Sequence, residues 1–173
     1  CSGNGVPYYL IPNGYGKWKK TNPKIEQDRL SKLNTKFNGI VLSTIRLVKY
    51  WNRRGQMPNI TSYVLETMVL DYFTQANNSV YSDGKCYDYP DMHFRDALLY
   101  IANNIMCSVQ DSKGIQGDIN TLTCEQRVKI KTRANNDYYK SCNAVNAEIR
   151  EKNNHKSIDI WRDIFGDDFP KYG

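Results

Sequence analysis

The sequence predicts a mainly α fold, a helical bundle with a short N-terminal β-strand, and three observations carry that prediction. Phe94, Leu98, Ile101 and Ile105 recur at i, i+4, i+7 and i+11, the spacing that lines one face of a helix. After Pro23, helix punctuation is frequent: Asn38-Gly39, Pro90-Asp91, Thr123-Cys124-Glu125-Gln126 and Gly166 fall where apolar periodicity starts or stops. Ahead of that point, Val6-Pro7-Tyr8-Tyr9-Leu10-Ile11 reads as a strand, the second of a hairpin whose turn is Cys1 to Gly5.

Taken in order, an amphipathic stretch runs from Lys24 to Phe37, and Asn38-Gly39 breaks it. A helix from Ile40 to Arg53 ends at Gly55 and Pro58, and Asn59-Ile60-Thr61 supplies cap candidates for a central helix that reaches about Gln75. Asn77 to Pro90 is a polar loop with room for a short hairpin. The Phe94 to Ile105 helix follows. Gln110 to Leu122 is a glycine-containing connection, and Thr123-Cys124-Glu125-Gln126 is a capping box opening a helix to about Glu151 that would bury Ala134, Tyr138, Cys142, Val145 and Ile149. Asn153-Asn154 breaks it, and a short last helix presents Ile158, Trp161, Ile164 and Phe165 before Gly166.

With 173 residues, 40% of them apolar, the chain can bury a substantial core. The five cysteines, Cys1, Cys86, Cys107, Cys124 and Cys142, have no C-x-x-C spacing, which argues against a zinc ribbon and for reduced thiols in a cytoplasmic protein, three of them in helices. The two histidines, His93 and His155, are too far apart for a metal site and read as surface or interface residues. No apolar run approaches the roughly 18 residues of a membrane span, so no membrane partner is expected. The net charge of +6 gathers at Lys17/Lys19/Lys20/Lys24, Arg46/Lys49/Arg53/Arg54 and Arg127/Lys129/Lys131/Arg133, the last of which reads as a solvated helix face.

Candidate chemistry centres on Lys49, Ser62 and Tyr63. At 100° per residue Lys49 falls between Ile45 and Leu42, on the face that the apolar spacing turns inward, and so requires an anion or a carboxylate. Ser62-Tyr63 opens a helix that is apolar on nearly every side, where free N–H groups and the positive dipole end meet a hydroxyl and a flat ring. Two readings stay open on spacing alone. Either these residues form a phosphate site, or Lys49 pairs with Glu66, Ser62 is an ordinary cap and Tyr63 is core.

The run from Leu47 to Phe73, with Ser62-Tyr63 opening its second helix, resembles the C-terminal helical domain of the CD-NTase and oligoadenylate-synthetase group of nucleotidyltransferases, bacterial relatives of cyclic GMP-AMP synthase. Trp18-Lys19-Lys20-Thr21-Asn22-Pro23 resembles the segment by which such enzymes pass from the catalytic sheet to the helical half. The stretch from Lys156 to Pro170, with Trp161 and Phe165-Gly166-Asp167-Asp168-Phe169, resembles their closing helix. The resemblance implies that Lys49 and Ser62 contact the triphosphate of a donor nucleotide and that Tyr63 stacks on its base. It also implies a product that is a cyclic or linear oligonucleotide signal, which in bacteria means antiphage defence.

That group holds Mg2+ or Mn2+ with three carboxylates, two of them in Asp-x-Asp or Glu-x-Asp, beside a Gly-Ser turn. Neither a Gly-Ser dipeptide nor an Asp-x-Asp occurs in this sequence, and Glu26-Gln27-Asp28, which matches Glu-x-Asp in letters, follows a helix start and reads as a solvated face. The expected organisation is therefore residues 1–20 as strand and connector from a catalytic core, and 21–173 as the helical nucleotide-binding domain, inactive alone, with no catalytic or metal residues of its own. The expected partners are nucleoside triphosphates and the N-terminal catalytic domain of the same protein. Two rivals are a freestanding module whose basic clusters track a nucleic-acid backbone, and a partner subunit docking on a separate nucleotidyltransferase through the strand at Val6 to Ile11.

Overall fold

The computed structural model describes residues 8–12, 16–54, 58–78 and 89–171. The turn at Cys1 to Gly5, the start of the strand at Val6-Pro7, Gly55 and most of the polar loop, residues 79–88, lie outside the described residues. The fold is mainly helical, as the periodicity requires, with two short strands at its N-terminal end.

Those strands, β1 (Tyr9–Pro12) and β2 (Trp18–Thr21), pair antiparallel with Tyr9 opposite Thr21 and Pro12 opposite Trp18. The described partner of the strand is thus the downstream Trp18 segment, expected as a connector. Gly16, at φ +71, lets the chain double back. The hairpin is an open two-stranded ribbon: Tyr9, Leu10, Ile11 and Trp18 stay between 43% and 66% exposed.

Helix α1 (Pro23–Lys36) starts where Asn22 Oδ1 accepts the Lys24 N–H at 3.1 Å, with Pro23 in the first helical position. It is an outer helix, tied down by Arg29, which donates to Asp71 at 2.6 Å and to Thr74 at 3.0 Å. Asn38 and Gly39, at φ 49 and 87, turn the chain through the left-handed region into α2 (Ile40–Arg53), as the Asn-Gly pair predicts. Val41, Ile45, Val48 and Trp51 form its buried stripe.

Helix α3 (Ser62–Asn78) is the surrounded element, burying Val64, Leu65, Met68, Val69, Leu70, Tyr72, Phe73 and Ala76. Helix α4 (Pro90–Asn104) places Phe94, Leu98 and Ile101 at 0% exposure, followed by Ile105 just past its end. It packs against α2, α3 and the long α5 (Cys124–Ile149), which in turn carries α6 (Asn154–Phe165). The aromatic centre joins Phe94 to Phe165 with ring centroids 4.8 Å apart; truncating a fully buried phenylalanine of this kind costs about 3–5 kcal/mol. The capping box is present in both directions, Thr123 with Gln126.

Several expectations need correction. The buried seam of α5 runs through Ile130, Ala134, Asp137, Ser141, Ala144, Val145 and Ala147. Tyr138 and Cys142 are half-buried at its margin and Ile149 is 56% exposed. The seam is rotated by about one residue because polar Asp137 and Ser141 sit inside it, each with a partner: Asp137 accepts from Trp51 Nε1 at 2.7 Å, and Ser141 Oγ donates to the Asp137 carbonyl at 2.7 Å. His93 is core rather than surface, 4% exposed among Phe37, Tyr72 and Phe73, with Nδ1 2.9 Å from the Tyr72 hydroxyl. Cys107, a free thiol like Cys124 and Cys142, lies past the end of α4. Among the described residues no helix is long and apolar enough to cross a membrane.

Candidate functional site

The N-terminal turn of α3 is set in place by a side chain on α2. The buried amide of Asn52 accepts the Ile60 N–H at 3.1 Å and donates to the Ile60 carbonyl at 2.8 Å, copying a rung of β-ladder, and it also donates to Asn59. Thr61 Oγ1 then accepts the Val64 N–H at 3.4 Å, so the cap is Thr61 and the exposed Ser62 is the first helical residue.

Lys49 reaches this end of α3 and forms an ion pair with Glu66. Glu66 lies one turn after Ser62 on the same helix face. Both partners of the pair are partly open, with side chains 27% and 37% exposed. Lys49 therefore sits at the edge of the buried stripe rather than inside it, because α2 turns Val41, Thr44, Ile45 and Val48 fully inward. The pairing with Glu66 allowed by the spacing is the one observed.

Tyr63 takes a different set of partners. Its hydroxyl donates to Asp111, in the loop between α4 and α5, and the Lys113 ammonium lies 4.3 Å from the centre of its ring. Asp111 organises that loop by accepting the N–H groups of Lys113, Ile115 and Gln116 at 3.1, 3.1 and 2.9 Å. Lys113 bridges from the loop to α1, its Nζ 3.1 Å from Glu26 Oε2, and its side chain is only 7% exposed. Ser112 adds a longer contact to Glu26 at 3.4 Å.

Burial pushes the Asp111 carboxyl upward, but the Tyr63 hydroxyl and the backbone N–H groups of Lys113, Gln116 and Ile115 outweigh it, so the group titrates below its ordinary range. Burial pushes the Tyr63 phenol up, and the carboxylates of Asp111 and Glu26 push it further. The phenol stays protonated and donating while the carboxylate stays charged and accepting.

Of the three expected site residues, Lys49 and Ser62 share one side of the α3 N-terminus, and Tyr63 turns toward Asp111 and Lys113. Sequence reasoning missed Asp111, Lys113 and the true role of Glu26. Asp111-Ser112-Lys113-Gly114 carries an Asx-turn signature, an available signal for the loop. The Glu-x-Asp match divides: Glu26 is tied to Lys113, while Gln27 and Asp28 are exposed. Among the described residues no three His, Cys, Asp or Glu side chains come together to hold a metal. Glu26 and Asp111 are engaged by an ammonium, a phenol and backbone N–H groups, an environment that does not fit a metal cation, and no metal chemistry is assigned to them.

The basic alternation of α5 also divides. Arg127 donates to the carbonyls of Leu122, Met106, Cys107 and Asn120 at 2.7 to 3.2 Å, stapling the α4–α5 connection. Arg133 donates to the Trp51 carbonyl at 2.6 Å and lies 4.4 Å over the Trp51 ring, and burial lowers its pKa against the pull of Asp137. Lys129 and Lys131 alone form the solvated face expected of the whole run.

No family model matches the chain. It is 38% identical over 169 residues to a probable cyclic nucleotide synthase of Bacillus cereus (strain VD146), across 97% of this chain and 48% of that protein. The similarity supports a cyclic nucleotide synthase-like family. The chain spans about half the length of this curated relative.

Proposed function

We propose that the chain is the C-terminal, nucleotide-binding helical part of a nucleotidyltransferase that makes cyclic or linear oligonucleotide signals for antiphage defence. Lys49 and Ser62 take the triphosphate of the donor nucleotide and Tyr63 stacks on its base. The observation that carries this reading is the first turn of α3, where a helix N-terminus, an exposed hydroxyl and a lysine with a half-open counter-ion meet on one side. The similarity to the probable cyclic nucleotide synthase of Bacillus cereus supports the reaction class. Metal-dependent chemistry, with Mg2+ or Mn2+, belongs in this reading to the N-terminal catalytic domain, and the exposed apolar hairpin is where the helical part continues into that domain's sheet.

An exposed ion pair contributes about 0–1 kcal/mol, so an incoming phosphate displaces Glu66 from Lys49 at little cost. One charged hydrogen bond and one stacking ring contribute about 1–3 kcal/mol each, which places affinity for the isolated chain near the millimolar range. The freestanding nucleic-acid module is the weaker reading, because Arg127 and Arg133 are engaged internally and leave a thinner basic surface. The test is Lys49→Ala in the full-length protein, assayed for nucleoside triphosphate consumption. Turnover should fall at least tenfold with the melting temperature unchanged; wild-type turnover would remove the phosphate role.

A further inference from the structure

We propose that Lys113 is a positioning residue that braces the ring of Tyr63 in the orientation in which it stacks on a nucleobase. The proposal rests on the nucleotide reading above and assigns a task to a loop to which that reading gives none. A lysine whose side chain is 7% exposed must be compensated, and here the compensation is split between the Glu26 carboxylate at 3.1 Å and the face of the Tyr63 ring at 4.3 Å. The far edge of the same ring is pinned by the hydroxyl bond to Asp111. One face covered by a cation and one edge held by a carboxylate fix the ring's tilt and its rotation.

The arrangement is more than core packing. Tyr63 is partly buried and packs against the hydrophobic core, and in addition its hydroxyl is held by Asp111 and its ring by Lys113, which is itself tied to Glu26 on α1. A ring held this way loses no rotamer freedom when a base stacks on it, and preorganisation of that kind raises affinity without adding a contact to the ligand. Lys113 thus acts on the nucleobase through Tyr63 and has no part in gripping the phosphates.

The test compares two probes on the 173-residue chain by NMR titration: ATP, which has a base, and inorganic tripolyphosphate, which does not. Lys113→Met keeps the stem volume and removes the charge. It should weaken ATP binding roughly three- to tenfold while leaving tripolyphosphate within about twofold, and Lys113→Arg should restore ATP binding. If Tyr63→Ala weakens ATP selectively but Lys113→Met does not, the brace is overturned and the nucleotide reading stands. If neither Tyr63→Ala nor Lys49→Ala changes ATP binding, the nucleotide reading itself fails and takes the brace with it. Should Lys113→Met not fold, Glu26→Gln is read in its place: selective loss of ATP binding supports the brace, and unchanged binding overturns it.

Discussion

The two polar clusters at the α3 N-terminus are built on opposite principles. In one, Lys49 and Glu66 form a single ion pair with both partners partly in solvent. In the other, Tyr63, Asp111, Lys113 and Glu26 form a closed chain in which each polar group answers another and Asp111 is 5% exposed. The open pair can exchange partners at a cost of about 1 kcal/mol or less. The closed chain cannot, because removing one member leaves its neighbours desolvated and unanswered, at about 1–3 kcal/mol for each. A recognition site needs both qualities, a cation free to change counter-ion and a surface that does not move when it does.

The strongest way to break the contrast is at Asp111. Asp111→Ala removes the acceptor of three backbone N–H groups and of the Tyr63 hydroxyl, and should destabilise the fold by about 2–3 kcal/mol, a fall in Tm of roughly 4–12 °C for a chain of this size. Calorimetry decides it. A change under 1 °C would mean that the loop is not anchored through this carboxylate.

The pH response sharpens the contrast further. The folded pKa of Asp111 lies below its unfolded value, so its contribution is complete above about pH 4 and is lost as pH falls through the folded pKa. Tyr63 has the opposite sign. Its folded pKa is raised, so its contribution is complete below about pH 10 and fades as pH rises beyond. Urea midpoints of Asp111→Asn should therefore lie below wild type above about pH 4 and converge on it at the acid end, and those of Tyr63→Phe should lie below wild type up to about pH 10 and converge on it at the alkaline end. Coincident profiles for either variant would separate that residue from the cluster.

How much of this was legible in the sequence follows the range of the interactions. Local signals were read correctly: the Thr123–Gln126 box, the turn at Asn38-Gly39 and the Phe94 to Ile105 stripe are written within a few residues of one another. The pairing of Lys49 with Glu66 was available too, since Lys49 lies near the end of α2 and Glu66 near the start of α3, across a single short connection. What escaped is what joins distant segments through polar atoms. The α5 seam was misplaced because Asp137 and Ser141 look solvent-facing until Trp51 arrives from α2 to bond the carboxylate. Arg127 looks like one charge in an alternating run until four carbonyls gather round it. Lys113 and Glu26 are 87 positions apart by number, and neither carries any local sign of the other.

The smallest and most discriminating effect belongs to the open pair. Glu66→Gln removes the counter-ion of Lys49 with little change in shape, so stability should move by no more than about 1 kcal/mol. Binding of tripolyphosphate should tighten by up to about fivefold, which is that same energy released to the ligand. The sign of the change carries the information. If Glu66 merely occupies Lys49 between ligands, its removal helps any anion. If instead Glu66 holds the lysine in the rotamer that a triphosphate requires, the variant binds more weakly, and the pair belongs with the closed chain around Tyr63 as part of the scaffold.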